Sequence, residues 1–336
     1  MVLDAQHNNP NIHQSEIPKN HSHFLAGWRF TALIATVILS MLGYLLASFW
    51  GGWSDVKHAF VQVGASGILL VGASALLNYL LRFIRWNHFI ALLGYKIPFW
   101  KHLRIYIAGF ALSATPGKAG EALRSVFLKD FGVPYRSSFG VFLSERIYDL
   151  LAVLLVSSWG LWSCEMCRPV VLFAIAAMAV FFYVVQKDRW LRGIEKFLNR
   201  RFHNRFSHYV EFCVETIVSL RRCFSPTALL YGTSLGVVAW AIEGVAFAYI
   251  LHQLGSDISV LTAIFIYGFS LLVGSLTFLP GGLGGAEVAM LKLLMLYDVP
   301  ASAAVAATIT IRIMTLWLSI VLGLIALPRD KIVTHR

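Results

Sequence analysis

Residues Leu279 to Leu294 read LPGGLGGAEVAMLKLL: a proline and four glycines set into a long apolar run, with Glu287 opening what reads as a fresh helix. Water-soluble cores rarely need that arrangement. In a bilayer, broken backbone is tolerated only where protein buries it or where it lines a cavity. Glycines let backbones approach closely and leave N–H groups free, and a new helix N-terminus is a ready anion site. The competing reading is a tight periplasmic turn between two spanning helices.

A looser copy lies upstream. Thr115 to Arg124 reads TPGKAGEALR, so Pro116-Gly117 followed by Gly120-Glu121 echoes Pro280-Gly281 followed by Gly284 and Glu287, with a two-residue gap. The flanks agree as well: Arg146 lies 30 residues after Pro116 and Arg312 lies 32 after Pro280, each in an apolar helix. The two prolines are 164 residues apart, close to half the chain. Internal repeats with paired broken helices are a transporter signature, and they point at the binding site.

Composition sets the class. The chain has 336 residues, 58% hydrophobic and 13% charged, with a mean hydropathy of +0.69. Globular chains carry about 25% charged residues, so the sequence reads as an all-α polytopic membrane protein with no large water-soluble domain. The net charge of +11 is read as the positive-inside signal rather than as a nucleic-acid footprint. Cys164 and Cys167 form a CxxC in a short outside loop. The reading there is two ordinary thiols, with a disulfide as the alternative and no zinc cluster. Cys213 and Cys223 fall in a cytoplasmic segment and are expected to stay reduced.

Taken in order, residues 1–27 read as a disordered cytoplasmic tail, polar and histidine-rich with irregular spacing. A single transmembrane domain follows over 28–327, and 328–336 form a second cytoplasmic tail. Spans are expected at about Arg29–Trp50 and Phe60–Leu81, the latter ending in Arg82, Arg85 and Trp86 as a cytoplasmic boundary. His102 to Leu128, split at Thr115-Pro116-Gly117, has arms too short for two crossings and reads as a re-entrant hairpin from the cytoplasmic side. Further spans follow at about Ser138–Trp162 and Val170–Val185. Gln186 to Arg222 holds nine Lys or Arg against four acids, which marks it as cytoplasmic. Within it Trp190, Leu191, Ile194, Phe197 and Leu198 share one helical face, as in a helix lying in the membrane interface, with a cytoplasmic helix packed on the bundle as the alternative. A span at about Thr227–Leu251 carries Trp240 and Glu243, and the next loop, His252 to Ser259, has no Lys or Arg and is read as outside. Val260 to Tyr297 is then a second broken hairpin, entering from the outside, and the last span is about Ala301–Leu327. The expectation is six spanning helices plus two re-entrant broken-helix hairpins in an inverted-topology repeat, with halves of about 60–162 and 227–327 joined by 186–222.

The apolar runs carry Glu121, Arg124, Glu145, Arg146, Asp149, Glu243, Glu287 and Arg312. Each ionisable residue at mid-bilayer costs about 2.5–3.5 kcal/mol, so four or five would cost on the order of 10 kcal/mol unpaired. They must pair or face water. Glu121 with Arg124 and Arg146 with Asp149 are i,i+3 pairs that meet on one helix face. Glu145 and Asp149 are i,i+4 and repel unless an arginine intervenes. Glu243, Glu287 and Arg312 need partners from other helices, and Glu287 with Arg312 is the first expectation. These charges either fix helix register as buried ion pairs or form a site, and their clustering at both breaks favours a site. An arginine fork suits phosphate.

With those residues assembled, the sequence resembles the transmembrane region of the lysylphosphatidylglycerol synthase/flippase family over about Trp28 to Leu327. The motifs that carry the resemblance are Arg85-Trp86, Thr115-Pro-Gly-Lys-Ala-Gly-Glu-Ala-Leu-Arg124, Glu145-Arg146 with Asp149, Pro280-Gly-Gly-Leu-Gly284 with Glu287, and Arg312 with Trp317. The resemblance implies a multi-pass protein of the bacterial inner (cytoplasmic) membrane, both termini cytoplasmic, that moves a lipid between leaflets. The aminoacyl-transferase domain of two-domain relatives is not seen, so lysine transfer is not expected.

The expected function is a flippase for an anionic phospholipid or polyprenyl-phosphate-linked lipid. Its binding and translocation residues are Pro116, Gly117, Gly120, Glu121, Arg124, Glu145, Arg146, Asp149, Glu243, Pro280, Gly281, Gly282, Gly284, Glu287 and Arg312. No catalytic residue, cofactor or resident metal is expected. One alternative is a membrane enzyme acting on a lipid phosphate, with an acid pair such as Glu121 and Glu145 holding Mg²⁺. Another is a membrane anchor for a glycosyltransferase through the basic segment. The expected partners are membrane lipids, with a lipid-modifying enzyme or glycosyltransferase and a second copy of the chain as candidates, and no nucleic acid.

Overall fold

A computed structural model describes residues 53–113, 119–158, 160–186, 207–277, 279 and 281–327. The N-terminal tail, the first span, Pro116, Gly117, Pro280, the interfacial-helix segment and the C-terminal tail lie outside the described residues.

The described chain is helical throughout. α1 (Trp53–Leu92) is 40 residues long and breaks helical geometry at Gly64, with φ +65° and ψ 175°. Beyond Gly64 it runs on to Leu92, so it does not stop at Leu81. Arg82, Arg85 and Trp86 are not a headgroup boundary: they are 4%, 0% and 0% exposed. The reason is electrostatic, because acids on a neighbouring helix take up both guanidinium groups.

α2 (Phe99–Gly109) starts after Pro98 and tightens into a 3₁₀ turn at Phe110–Leu112. Beyond the first break come a 3₁₀ turn at Ala119–Ala122, the six-residue α3 (Leu123–Leu128) and a 3₁₀ turn at Lys129–Phe131 that ends on Gly132 at φ 76°. α4 (Tyr135–Ser157) carries Glu145, Arg146 and Asp149 near its middle. The short α5 (Gly160–Ser163) and a 3₁₀ turn at Glu165–Cys167 lead to α6 (Arg168–Gln186). Cys164 and Cys167 are joined by a disulfide, which corrects the expectation of two thiols. The turn between them sets their Cα atoms 5.3 Å apart, within bridging reach.

α7 (Ser207–Arg222) packs on the start of α4, where Gly140 leaves room for the Thr216 carbonyl. α8 (Pro226–Gln253) is capped by Ser225, whose hydroxyl accepts from the Ala228 N–H, with proline in the first turn. It is the central helix, packed on α1, α4 and the second broken element. That element is α9 (Val260–Leu276), a turn in which Gly281, Gly282 and Gly284 all take positive φ, and α10 (Gly285–Leu296). α11 (Ala301–Arg312) passes through a π-helical turn at Ile313–Trp317 into α12 (Leu318–Ala326).

Side-chain contacts fix how the ends are arranged. His88 meets Tyr231 at 4.7 Å and Gly67 approaches Tyr249, so α1 and α8 are antiparallel. The first broken element starts beside the end of α1, where Phe99 meets Phe83 at 5.2 Å, and it returns to α4, whose start lines one groove with Leu93 and Tyr95. The second starts at the opposite end, beside the close of α8, and the chain leaves α10 there, with Ser256 to Ser259 lining one groove with Tyr297 to Pro300. Each broken element therefore begins and ends at one end of the bundle, and the two ends are opposite.

Four helical stretches are long and apolar enough to cross a bilayer: Val61–Leu92, Glu165–Tyr183, Pro226–Gln253 and Ala301–Ala326. α4 has the length, at 23 residues, but its three central charges set it apart in composition. Leu69, Leu230 and Ile325 are 72%, 74% and 73% exposed, surface that lipid tails tolerate and water does not. The chain is a multi-pass integral membrane protein.

Candidate functional site

Two ion clusters occupy the interior. The first joins α1, the first broken element and α4. From α1, Arg82 places Nη2 3.0 Å from Asp149 Oδ2 and 3.4 Å from Glu145 Oε1, and Arg85 places Nη2 2.5 Å from Asp149 Oδ1. The repulsion between Glu145 and Asp149 is thus relieved by an arginine from another helix. Arg124 bridges two acids, Nη2 at 2.5 Å from Glu121 and Nη1 at 2.8 Å from Glu145. Its guanidinium also lies over Tyr106 at 4.4 Å and Trp86 at 4.7 Å. Tyr106 donates its hydroxyl to Glu145 at 2.6 Å, and Ser113 donates to Glu121 at 2.9 Å.

Arg146 meets all three acids at long range: Glu121 and Glu145 at 3.3 Å, Asp149 at 3.2 Å. Its side chain is 18% exposed, whereas those of Arg85 and Arg124 are at 0%. It is the arginine of this cluster nearest to solvent, and its interactions are the loosest.

The second cluster joins α8, the second broken element and α11. Arg312 donates from Nε to Glu287 at 2.6 Å and from Nη2 to the Gly281 carbonyl at 3.0 Å. One side chain therefore clamps both the glycine turn and the helix after it. Tyr267 on α9 donates its hydroxyl to Glu243 on α8 at 2.6 Å.

The two breaks touch. A Cβ built on Gly281 would lie 3.6 Å from the Ser113 carbonyl and 3.4 Å from Leu316, so the glycine turn nestles against the end of α2's 3₁₀ turn. Between them lies a cavity of about 40 Å³, room for a few waters. Arg82, Ser113 and Glu121 line it from one side, and Trp240, Glu243, Tyr267 and Arg312 from the other. Three lining atoms have no hydrogen-bond partner among the described residues: Arg82 Nε, Trp240 Nε1 and Asn78 Oδ1.

Among the described residues of the two clusters, five arginines (82, 85, 124, 146 and 312) stand with five acids (121, 145, 149, 243 and 287).

Of the residues expected from sequence, Glu121, Arg124, Glu145, Arg146 and Asp149 meet in the first cluster, and Glu287, Arg312 and the Gly281 carbonyl meet in the second. Gly120 sits in the 3₁₀ turn beside Glu121. Gly282 and Gly284 shape the second turn, Gly284 as the residue that precedes α10. The two breaks differ in one respect: only the second is followed by a substantial helix, α10, with 12 residues. The helix that follows the first break, α3, has six residues.

Sequence reading missed Arg82, Arg85, Tyr106 and Tyr267 as site residues. Asn78, Arg82 and Arg85 recur at i, i+4 and i+7, one face of a helix. Placing the boundary at Leu81 concealed that face.

The model of the family described as lysylphosphatidylglycerol synthase TM region matches residues 31–323. A UPF0104 membrane protein of Pyrococcus horikoshii is 22% identical over 88% of this chain and 96% of its own length. Another, from Methanothermobacter thermautotrophicus, is 25% identical over 62% of this chain and 68% of its own. The glycosyltransferase AglD of Haloferax volcanii is 25% identical over 84% of this chain, which spans 51% of that protein. With a match over most of its length, the chain belongs to the lysylphosphatidylglycerol synthase TM region family, and is similar to membrane proteins of the UPF0104 group.

Proposed function

We propose that the chain is a lipid flippase that moves an anionic lipid, phospholipid or polyprenyl-phosphate-linked, between leaflets. The observation that carries this reading is the polar cavity between the two breaks, lined by Arg82 and Arg312 inside an apolar bundle. Guanidinium groups pair with phosphate through a planar fork. Two elements that reach inward from opposite ends suit a site opened alternately to each side.

In the membrane, α1, α4, α6, α8 and α11–α12 would make five crossings, and the segment 29–50 a sixth. The two broken elements are then re-entrant hairpins of inverted topology. Both termini lie on the cytoplasmic side of the cytoplasmic membrane. The protein is not an enzyme on this reading. The Mg²⁺ alternative is disfavoured because the place between Glu121 and Glu145 is filled by the guanidinium of Arg124.

Reconstitution in liposomes with labelled phosphatidylglycerol and labelled polyprenyl phosphate tests the proposal. Wild type is expected to move at least one of them, with Arg146→Ala and Glu287→Gln slower by about tenfold or more, roughly 1.4 kcal/mol of barrier. Equal movement by all three proteins overturns it, and release of a new lipid product favours the enzyme.

A second reading draws on one relative. AglD carries a region similar to this chain in about half its length and is named a glycosyltransferase. A separate glycosyltransferase is therefore a candidate partner, delivering or receiving the lipid. Co-purification after mild solubilisation tests it.

A further inference from the structure

We infer that the cavity between the two breaks is a subsite for a terminal phosphate, the group a phosphate monoester carries, and that Asn78, Arg82 and Trp240 are the side chains that recognise it. This rests on the flippase reading and narrows its substrate to lipids that end in phosphate.

The three side chains converge from two helices. Asn78 and Arg82 stand one turn apart on α1, at i and i+4, and so share a face. Asn78 donates from Nδ2 to the Ala239 carbonyl on α8 at 3.0 Å. That bond fixes the amide and sets it beside Trp240, the next residue of α8. The Arg82 guanidinium lies over the Trp240 ring, 5.5 Å from Cζ to the centroid, and over Phe110 at 5.7 Å. All three residues line the cavity, and they are 0%, 4% and 8% exposed in that order.

Each keeps one polar atom without a partner among the described residues: Asn78 Oδ1, Arg82 Nε and Trp240 Nε1. Buried polar groups are nearly always paired, so three around one small space point to a ligand. Two of them are N–H donors, which call for acceptor oxygens, and the guanidinium adds charge. Arg82 uses Nη2 on Glu145 and Asp149, which leaves Nε for the cavity. The third atom can only accept, so the ligand must also bring a donor. A terminal phosphate brings both. Its second proton leaves at about pH 6, so near neutrality it still presents a P–OH beside its anionic oxygens. A phosphodiester has no P–OH.

Size supports the same assignment. The cavity of about 40 Å³ admits a group of a few heavy atoms. The second ester arm of a diester would need that same space. The neighbouring charges agree as well. Two of the lining residues, Glu121 and Glu243, are acids, and the protein engages both: Glu121 through Arg124 and the Ser113 hydroxyl, Glu243 through the Tyr267 hydroxyl. Carboxylates beside the site disfavour a second negative charge on the ligand, which favours the singly charged form that keeps its P–OH.

The experiment uses the full-length protein in phosphatidylcholine vesicles. Labelled phosphatidic acid and polyprenyl phosphate are the lipids with a terminal phosphate, labelled phosphatidylglycerol is the diester, and labelled inorganic phosphate is the free ligand. Wild type is expected to move the two terminal-phosphate lipids about tenfold faster than phosphatidylglycerol or more, as a site built around a ligand hydroxyl requires. Trp240→Phe removes the N–H that has no partner among the described residues and keeps an aromatic ring. It is expected to slow those two lipids by about tenfold while its Tm shifts by only a few degrees. Asn78→Leu covers the case in which that variant does not fold: without the acceptor, the terminal-phosphate lipids should move no faster than phosphatidylglycerol. Thermal unfolding in detergent with the same four compounds reads binding without movement, and the terminal phosphates should stabilise wild type more than Trp240→Phe. Phosphatidylglycerol moving as fast as the other two lipids, or both variants moving lipid at the wild-type rate, overturns the inference and leaves the flippase standing. Stabilisation by terminal phosphates with no lipid moved, or uptake of inorganic phosphate in place of lipid, keeps the subsite and overturns the flippase. Neither movement nor stabilisation overturns both.

Discussion

Arg312 reaches back from the end of α11 to Glu287 in the first turn of α10, Nε to Oε1 at 2.6 Å, while its Nη2 takes the Gly281 carbonyl at 3.0 Å. The second break is therefore held by one cation in two directions. Arg312→Ala is expected to remove the cation that Glu287 and the Gly281 carbonyl share inside the bundle and to lower stability by about 3–5 kcal/mol. Thermal unfolding in detergent checks this. Arg312→Gln with Glu287→Gln together should cost less than the sum of the two single changes, because the interaction between the two side chains is lost only once. Strict additivity would mean that the two side chains do not interact.

Arg124 raises a sharper question of geometry. It spans two acids and lies over two aromatic rings. Arg124→Lys keeps the charge but cannot place two nitrogens in a planar fork. The expectation is a loss of about 2 kcal/mol or more, close to the cost of an unsatisfied buried group, and lipid movement reduced with it. Wild-type stability in Arg124→Lys would show that charge alone suffices.

The close approach at Gly323 gives a purely steric prediction. A Cβ there would collide with the backbone of Ala111, in the 3₁₀ turn that follows α2, so α12 rests directly on the first break. Gly323→Val should force those backbones apart, costing about 1–3 kcal/mol as overpacking does. A lipid assay that shows a loss larger than the thermal shift explains would tie this contact to the site.

Much of this arrangement can be read from the sequence, for reasons that differ by residue. Pro280 with its glycines and the echo at Pro116 announce the breaks, because nothing else in an apolar run tolerates them. Glu287 and Arg312 follow as a pair, because each needs a partner and neither has one on its own helix. Arg82 and Arg85 escape this logic. Cations at the end of an apolar run satisfy the positive-inside pattern as well as they satisfy a buried acid, and only the position of Asp149 in space decides between the two. Tyr106 and Tyr267 escape because an aromatic residue in an apolar helix carries no sign that its hydroxyl is in use. The difference between the two breaks is equally hidden: TPGKAGEALR and LPGGLGGAEVAMLKLL look alike, yet one leads into 6 residues of helix and the other into 12.

Topology can be tested at two exposed positions, one on each broken element or its threshold. Lys101 lies in the first turns of α2, and Asp257 lies in the loop before α9, at the opposite end of the bundle. The native cysteine most accessible to a probe is Cys213, so the experiment begins from Cys213→Ser. Lys101→Cys and Asp257→Cys should then react with a membrane-impermeant maleimide from opposite faces. Asp257→Cys is expected to label in intact cells, and Lys101→Cys only after permeabilisation. Labelling of both from one face would place both elements on the same side. The pair could not then form a site opened alternately to each leaflet, and the contact between Gly281 and Ser113 would be ordinary packing.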